Sequence, residues 1–326
     1  MSERKPRVFA TRHFPSDVEA RLAASFDAVL NPEDRLFDSA ALAGATRGCD
    51  AILCAAGDAM NAQAIASLPE SVKMIATFSV GYEHIDVAAA AKRGILVSNT
   101  PDVLTDATAD ITMLCLLGAA RRAHEGATML RGHRWVGWSP TQLMGVHVTG
   151  KRLGILGMGR IGQAVADRAR AFRMTIHYSN RSRLPPELEK GAIFHADGDG
   201  MLPHCDFLSI NAPLTPATRK WVNRERIARL PKGAVVVNTA RGGVVDDEAL
   251  IAALKSGHLA AAGLDVFDGE PRIHQGYYDL ENAFLLPHMG SATVETRNAM
   301  GFRALDNLEA YLLRGQTPPD QVRASS

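Results

Sequence analysis

The sequence has 326 residues, 46% hydrophobic and 22% charged, the balance of a folded globular chain rather than a disordered one. Lys and Arg number 36 against 35 Asp and Glu, a net charge of +1, which argues against nucleic acid as a partner. Four cysteines, Cys49, Cys54, Cys115 and Cys205, have no Cys-x-x-Cys spacing, so neither a zinc knuckle nor a redox dithiol is indicated, and no metal is expected.

Residues 1–7 are charged and lack the apolar run of a signal peptide. The apolar stretch 111–120 is too short to span a bilayer. The expectation is therefore a cytoplasmic protein in a reducing compartment, with no membrane partner.

From residue 7 onward, strand-like and helix-like segments alternate. Residues 7–10 read as a short strand, and 15–26 as a helix with Val18, Leu22 and Phe26 on one face. Strands follow at 51–56, 74–78 and 95–98, separated by helices at 62–68 and 86–92. The pattern over 102–130 predicts one long helix. Ile111, Leu114, Leu117 and Gly118 form its apolar face, widened by Met113, Leu116 and Ala120, so burial between domains or subunits is expected. Residues 132–145, with Trp135 and Trp138, read as an ordered loop.

A second alternating run begins near Lys151. It comprises a strand at 152–156, a helix at 160–172, strands at 174–178, 207–210 and 234–238, a helix at 247–255, and strands at 261–264 and 284–286. A long helix is predicted over 293–313, then a tail with Pro318, Pro319 and the final Ser325-Ser326. This is an α/β chain with two Rossmann-like domains built on parallel sheets. The last helix is expected to return to the first domain, leaving a cleft between the two.

Within the second run, Gly157-Met158-Gly159-Arg160-Ile161-Gly162 matches Gly-x-Gly-x-x-Gly between a predicted strand and a predicted helix. Gly157 permits the tight turn, Gly159 lets a pyrophosphate approach the backbone, and Gly162 lets helix and strand pack closely. The helix start supplies free N–H groups and a partial positive charge.

The next strand bears on which dinucleotide binds. An NAD site places Asp or Glu at its end for the ribose 2′-OH. Here the strand runs into Ser179-Asn180-Arg181-Ser182-Arg183, and the first acid is Glu187. Arg181 or Arg183 can pair with a 2′-phosphate, and Ser179, Asn180 or Ser182 can donate to it. NADP(H) is the expected cofactor, with NAD(H) as the alternative.

Three further loops follow predicted strands and carry Arg241, Glu270 and His288. Ligands in open α/β sheets bind beyond the carboxyl ends of strands, so these loops are expected to converge. Arg241 can fork onto a carboxylate and polarise a neighbouring carbonyl. His288 can deliver a proton to an oxygen that gains charge as hydride arrives, and Glu270 can orient the other ring nitrogen. In the first run, the N–H groups of Val80 and Gly81 are candidates to receive a small carboxylate.

Nearly the whole chain resembles the D-isomer-specific 2-hydroxyacid dehydrogenase family, and within it most nearly the glyoxylate/hydroxypyruvate reductases. The resemblance rests on the glycine turn, on residues 238–246, on 262–271 and on 286–293. Residues 100–106 and the two tryptophans resemble segments of the reductases. It implies that Arg241, Glu270 and His288 form the active site. It also implies that Asp265 holds the nicotinamide amide and that Val80-Gly81 binds the substrate carboxylate. It further implies a substrate domain of residues 1–100 and 291–326 around a cofactor domain of residues 101–290. A homodimer is implied as well, with Trp138 reaching the partner's pocket.

The expected reaction is the reduction of glyoxylate to glycolate and of hydroxypyruvate to D-glycerate. Rival activities on the same triad are those on D-lactate, 3-phosphoglycerate, 2-ketogluconate or aryl pyruvates. Formate dehydrogenase is disfavoured because Gln would be expected where Glu270 stands. A rival of another class is a nucleotide-sensing interaction protein. One departure from the family pattern is residues 272–280, where a His-Pro-Leu segment is common; it bears on the substrate rim.

Overall fold

In the computed structural model, which describes residues 4–323, short aliphatic runs form parallel strands and the amphipathic stretches between them form covering helices. The outermost residues, including Ser325-Ser326, lie outside the described part. In chain order the first elements are β1 (Arg7–Ala10), α1 (Ser16–Ser25), β2 (Asp27–Val29), α2 (Ser39–Ala45), β3 (Ala51–Ala55), α3 (Ala62–Ser67), β4 (Met74–Phe78), α4 (Val87–Lys92) and β5 (Leu96–Ser98). β2 and α2 go beyond the sequence reading. Asp38, Asn61 and Asp86 each accept a backbone N–H as N-caps of α2, α3 and α4, which fixes where those helices begin.

The chain continues through α5 (Thr105–Ala120), α6 (Ala123–Arg131), β6 (Arg152–Leu156), α7 (Arg160–Ala171), β7 (Thr175–Ser179), α8 (Pro186–Glu189) and β8 (Ile193–His195). Then come α9 (Gly198–Met201), β9 (Phe207–Ile210), α10 (Arg224–Ile227), β10 (Ala234–Asn238), α11 (Asp247–Lys255), β11 (Leu259–Leu264) and β12 (Ala283–Leu285). The last elements are α12 (Val294–Leu312) and β13 (Gln321–Val322).

Two expectations need correction here. The single helix over 102–130 is two helices. Arg122 adopts φ 53°, a left-handed conformation that ends α5, and the Val146 N–H caps the Ala120 carbonyl. The buried side of α5 also differs from the one read from spacing. Thr112, Met113, Cys115, Leu116 and Ala119 are buried, whereas Leu114 is 45% exposed. The tail carries one short strand: β13 pairs antiparallel with β5, and Pro318 is buried.

Two units result, one holding the residues up to Leu104 together with those from Ser291, the other Thr105–Gly290. In the first unit the strand order is β13-β5-β4-β3-β1-β2, parallel apart from β13. The five parallel strands thus follow the 2-1-3-4-5 order of a doubly wound sheet. Within this unit α12 packs on β4 and α1. Its Asn307, fully buried, donates to the Asn99 carbonyl and to Asp320.

The second unit has a seven-stranded, all-parallel sheet of order β12-β11-β10-β9-β6-β7-β8. The order reverses between β6 and β9, the switch point where such sheets bind ligands. Both faces are buried, as the continuous run Ala234-Val-Val-Val-Asn238 requires. Val235 and Val237 join the apolar cluster that includes α5 and α7, and Val236 joins the cluster that includes α11.

Candidate active site

The loop after β10 is shaped by its own first residue. Asn238, 1% exposed, accepts from the Ala240 N–H and donates to the Arg241 carbonyl, both at 3.0 Å. Thr239 meets Thr112 of α5 at 2.7 Å between hydroxyls. These bonds set the backbone of Arg241, whose Nη1 donates to the Ala240 carbonyl at 2.7 Å. Gly242 then lies against the loop after β11. A Cβ there would stand 1.8 Å from the Phe267 carbonyl carbon, so only glycine lets the two loops touch.

β11 delivers Asp265, and the following turn delivers Glu270. Asp265 is 1% exposed, and its Oδ1 accepts the Met289 N–H at 2.6 Å. Its Oδ2 has no hydrogen-bond partner among the described residues. Glu270 Oε1 accepts the Phe267 N–H at 2.7 Å, and Oε2 meets His288 Nδ1 at 2.8 Å. His288 leaves β12 behind Pro287 with φ 55°, a conformation that costs a β-carbon residue energy and that the surrounding contacts must hold.

The four groups share one electrostatic field. The bond to Glu270 raises the His288 pKa, against burial, and Asp265 adds to the rise while Arg241 opposes it. Burial acts to raise the Glu270 pKa, but the His288 and Phe267 N–H groups together with Arg241 outweigh it, and the net shift is down. The pair is thus biased toward imidazolium and carboxylate. Burial holds the Asp265 pKa above its usual value, partly offset by the Met289 N–H and by His288. The arrangement provides a proton donor, its anionic orienter and a cation able to hold a carboxylate.

The glycine turn sits at the switch point of the same sheet. Gly157 has φ 90°, and a Cβ on it would meet the Ala212 nitrogen at 2.8 Å. α7 starts at Arg160 with Gly159 as an N-cap that offers no side chain. A Cβ on Gly159 would meet nothing within 4 Å, so the space in front of the helix is open. An open, uncapped N-terminus and the orphaned buried oxygen of Asp265 fit a dinucleotide with its pyrophosphate at α7. The Met158 side chain is fully buried, and its N–H is donated to Asn180 Oδ1 at 2.6 Å. Ile161 packs against the core, and Gly162 is buried.

Of the residues beyond β7, Ser179 is buried, and Arg181 and Ser182 are exposed. The two arginines differ. Arg183 forks onto Glu189 at 2.8 and 3.0 Å, a partner that the spacing of charges alone does not reveal. The loop-shaping bonds of Asn238 and the pairing of Glu189 with Arg183 are what sequence reasoning missed. An Asn two residues before a backbone N–H signals an Asx turn, but nothing local marks Glu189.

Val80 and Gly81 lie in the first unit, after β4. Ser79 Oγ donates to the Gly81 carbonyl at 2.6 Å, and Asn99 Nδ2 to the Val80 carbonyl at 2.7 Å. Trp138 is 81% exposed on the loop after α6, where residues 132–140 are all exposed. In the departing stretch 272–280, Tyr277 alone is buried: it is 1% exposed, packs on Phe267 and donates to Asp247 at 2.6 Å, whereas Tyr278 beside it is 61% exposed. Among the described residues, no group of three or more His, Cys, Asp or Glu is placed to hold a metal ion. No helix among them is long and apolar enough to cross a membrane.

Comparison with known proteins adds to this geometry. Residues 113–290 match the family model described as D-isomer specific 2-hydroxyacid dehydrogenase, NAD binding domain. The glycerate dehydrogenase of Hyphomicrobium methylovorum is 44% identical over 94% of this chain and 96% of its own. The glyoxylate reductase of Thermococcus kodakarensis is 42% identical over 98% of this chain and 96% of its own. The NADPH-dependent glyoxylate/hydroxypyruvate reductase of Sinorhizobium meliloti, solved with NADP and malonate, has a TM-score of 0.87 at 34% identity and covers 99% of both chains.

Proposed function

The chain belongs to the D-isomer specific 2-hydroxyacid dehydrogenase family and is an NAD(P)-dependent oxidoreductase, and on that premise we propose that it reduces small 2-oxo acids with NADPH. Glyoxylate would yield glycolate, and hydroxypyruvate would yield D-glycerate. The observation that carries this reading is the His288–Glu270 pair in the field of Arg241.

The reduced nicotinamide, when bound, supplies a hydride to C2 of the 2-oxo acid. Arg241 holds the carboxylate and polarises the adjacent carbonyl. Val80 and Gly81 are our second candidates for the carboxylate, through their N–H groups. His288 gives its proton to the C2 oxygen as charge develops there. Glu270 keeps the ring oriented and favours its charged form beforehand. One hydride and one proton enter, and a 2-hydroxy acid leaves.

For the cofactor, residues 157–162 would receive the pyrophosphate and Asp265 the nicotinamide amide. Arg181, with Ser179, Asn180 and Ser182 beside it, would face the 2′-phosphate. The absence of an acid at the end of β7 supports NADPH over NADH.

A second copy of the chain would cover the loop after α6. Trp135, Val136, Trp138 and Met144 expose 54% to 100% of their surface, and α6 buries no residue. Such apolar exposure marks an interaction surface. Trp138 would then line the partner's pocket. The four cysteines, all free and buried, support a reducing compartment such as the cytoplasm.

The test is a steady-state assay of cofactor oxidation with glyoxylate and hydroxypyruvate, run with NADPH and with NADH, beside light scattering for the oligomeric state. A kcat/KM advantage for NADPH is expected, and a dimer. Turnover confined to bulkier 2-oxo acids would overturn the substrate assignment, and a monomer of full activity would overturn the role of Trp138.

A further inference from the structure

The loop after β7 carries two arginines in contrasting surroundings. Arg181 is exposed and has no ion-pair or hydrogen-bond partner among the described residues. Arg183, two positions on, places Nε and Nη2 on the two carboxylate oxygens of Glu189. Glu189 is no ordinary surface acid. It ends α8 with its side chain 7% exposed and accepts the Tyr178 O–H at 2.5 Å. Tyr178 is fully buried, and its oxygen accepts the Leu184 N–H at 3.0 Å. Arg170 donates to the Glu189 backbone carbonyl at 2.8 Å. The carboxylate is therefore fixed from behind by Tyr178, its residue is held by Arg170, and Arg183 closes onto it from the solvent side.

We propose that Glu189 is a specificity-positioning residue that withholds Arg183 from the ribose end of the cofactor. The inference rests on the cofactor reading above, since it concerns the same loop. A paired guanidinium and carboxylate present no net charge to a phosphate, and the carboxylate itself repels one. Discrimination between NADPH and NADH then falls on Arg181, and the ion pair sets how strong that discrimination is. Glu189 touches neither cofactor nor substrate. It acts through Arg183.

The experiment reads the preference for NADPH over NADH in two ways, as the ratio of cofactor affinities from titration without substrate and as the ratio of kcat/KM, and general loosening of the fold would not move either ratio in one direction. Glu189→Gln keeps an acceptor for the Tyr178 O–H and frees Arg183. The ratio is expected to rise about three- to tenfold, the effect of one additional charge-assisted contact at a part-exposed site, and the gain is expected to shrink with added salt. The double variant Arg183→Ala/Glu189→Gln removes the neutral pair as a unit, and its ratio is expected to stay within about twofold of the parent's. Arg181→Ala is expected to lower the ratio about tenfold.

An unchanged or lower ratio in folded Glu189→Gln overturns the proposal. So does a double variant that falls as far as Arg181→Ala. If neither Glu189 variant folds, Arg183→Ala with Glu189 intact decides the matter, and a loss as large as that of Arg181→Ala overturns the proposal. A parent that prefers NADH, with Arg181→Ala leaving its ratio in place, overturns the cofactor reading instead. Each Glu189 variant is judged against the parent's own ratio, so the two failures are distinguishable.

Discussion

His288 and Glu270, 18 residues apart in sequence, meet at 2.8 Å between Nδ1 and Oε2. The contact joins the loops that follow β12 and β11, which are neighbours in the sheet. One nitrogen is thereby committed to the carboxylate, and the other is the position from which a proton can be passed.

The pH dependence follows from that pair. His288 has a raised pKa, chiefly through Glu270, and the proposed proton delivery draws on its charged form. The rate of 2-oxo acid reduction should hold at low pH and fall as pH rises through that raised value. Glu270→Gln removes the main cause, so the fall should move to lower pH. A pH profile of kcat/KM checks this, and a limb that stays in place contradicts it. His288→Ala should lower kcat by about 10²–10⁴ with cofactor affinity little changed.

Asp265 keeps one buried oxygen without a partner. An acceptor in that state costs stability unless a ligand completes it. Asp265→Asn should raise the cofactor KM by about fivefold or more while leaving the melting temperature equal or higher. A large drop in melting temperature would instead make Asp265 a structural anchor for the Met289 N–H.

Two glycines should separate folding from binding. A Cβ at Gly242 overlaps the Phe267–Asp268 backbone, with its nearest atom at 1.8 Å. Gly242→Ala should therefore destabilise the fold by about 2–4 kcal/mol or displace the Arg241 loop. Gly159→Ala meets no protein atom within 4 Å, so its melting temperature should match the parent's. Its cofactor KM should rise, because the added methyl fills space in front of α7. Thermal melts with and without NADPH make the comparison.

Acid should loosen the β7–β8 edge. His177, 6% exposed, meets His195 at 3.0 Å and stacks on His204 with centroids 5.5 Å apart. Burial, then His195 and His204, lower the His177 pKa to about 4; Arg152 adds to this and Asp206 opposes it. The His195 pKa is also lowered, mainly by burial, with Asp197 opposing. Lowered values mean that the unfolded chain binds more protons than the native one. The contribution is fully present above about pH 6.5, the unfolded value, and is lost as pH falls toward 4. His177→Phe, which keeps the stack, should lose less melting temperature than the parent between those limits; an identical acid slope would remove the cluster from the account.

Much of the second unit was legible because its signals are local. The run of three valines in β10 reads as a strand buried on both faces, and the six residues 157–162 read as a strand–turn–helix junction. The Arg, Glu and His were legible because each directly follows or closely trails an apolar strand. The end of α5 was not. No Gly or Pro marks it; a single left-handed arginine ends the helix, and its last carbonyl is met by Val146, 26 positions downstream. Leu114 misled for a related reason. Helical spacing gives a stripe, but which stripe is buried depends on where β10 and β11 lie against α5.

By itself the sequence determined the class of fold, the residue types at each strand end and hence the kind of chemistry, since periodicity and turn chemistry act within a few residues. Only the tertiary structure decided how charges are paired: Glu270 with His288, and Glu189 with Arg183 while Arg181 stands apart. The physical reason is range. Faces and turns follow from bonded neighbours, whereas an ion pair requires two side chains to arrive within about 3 Å of each other, a distance set by the packing of whole elements.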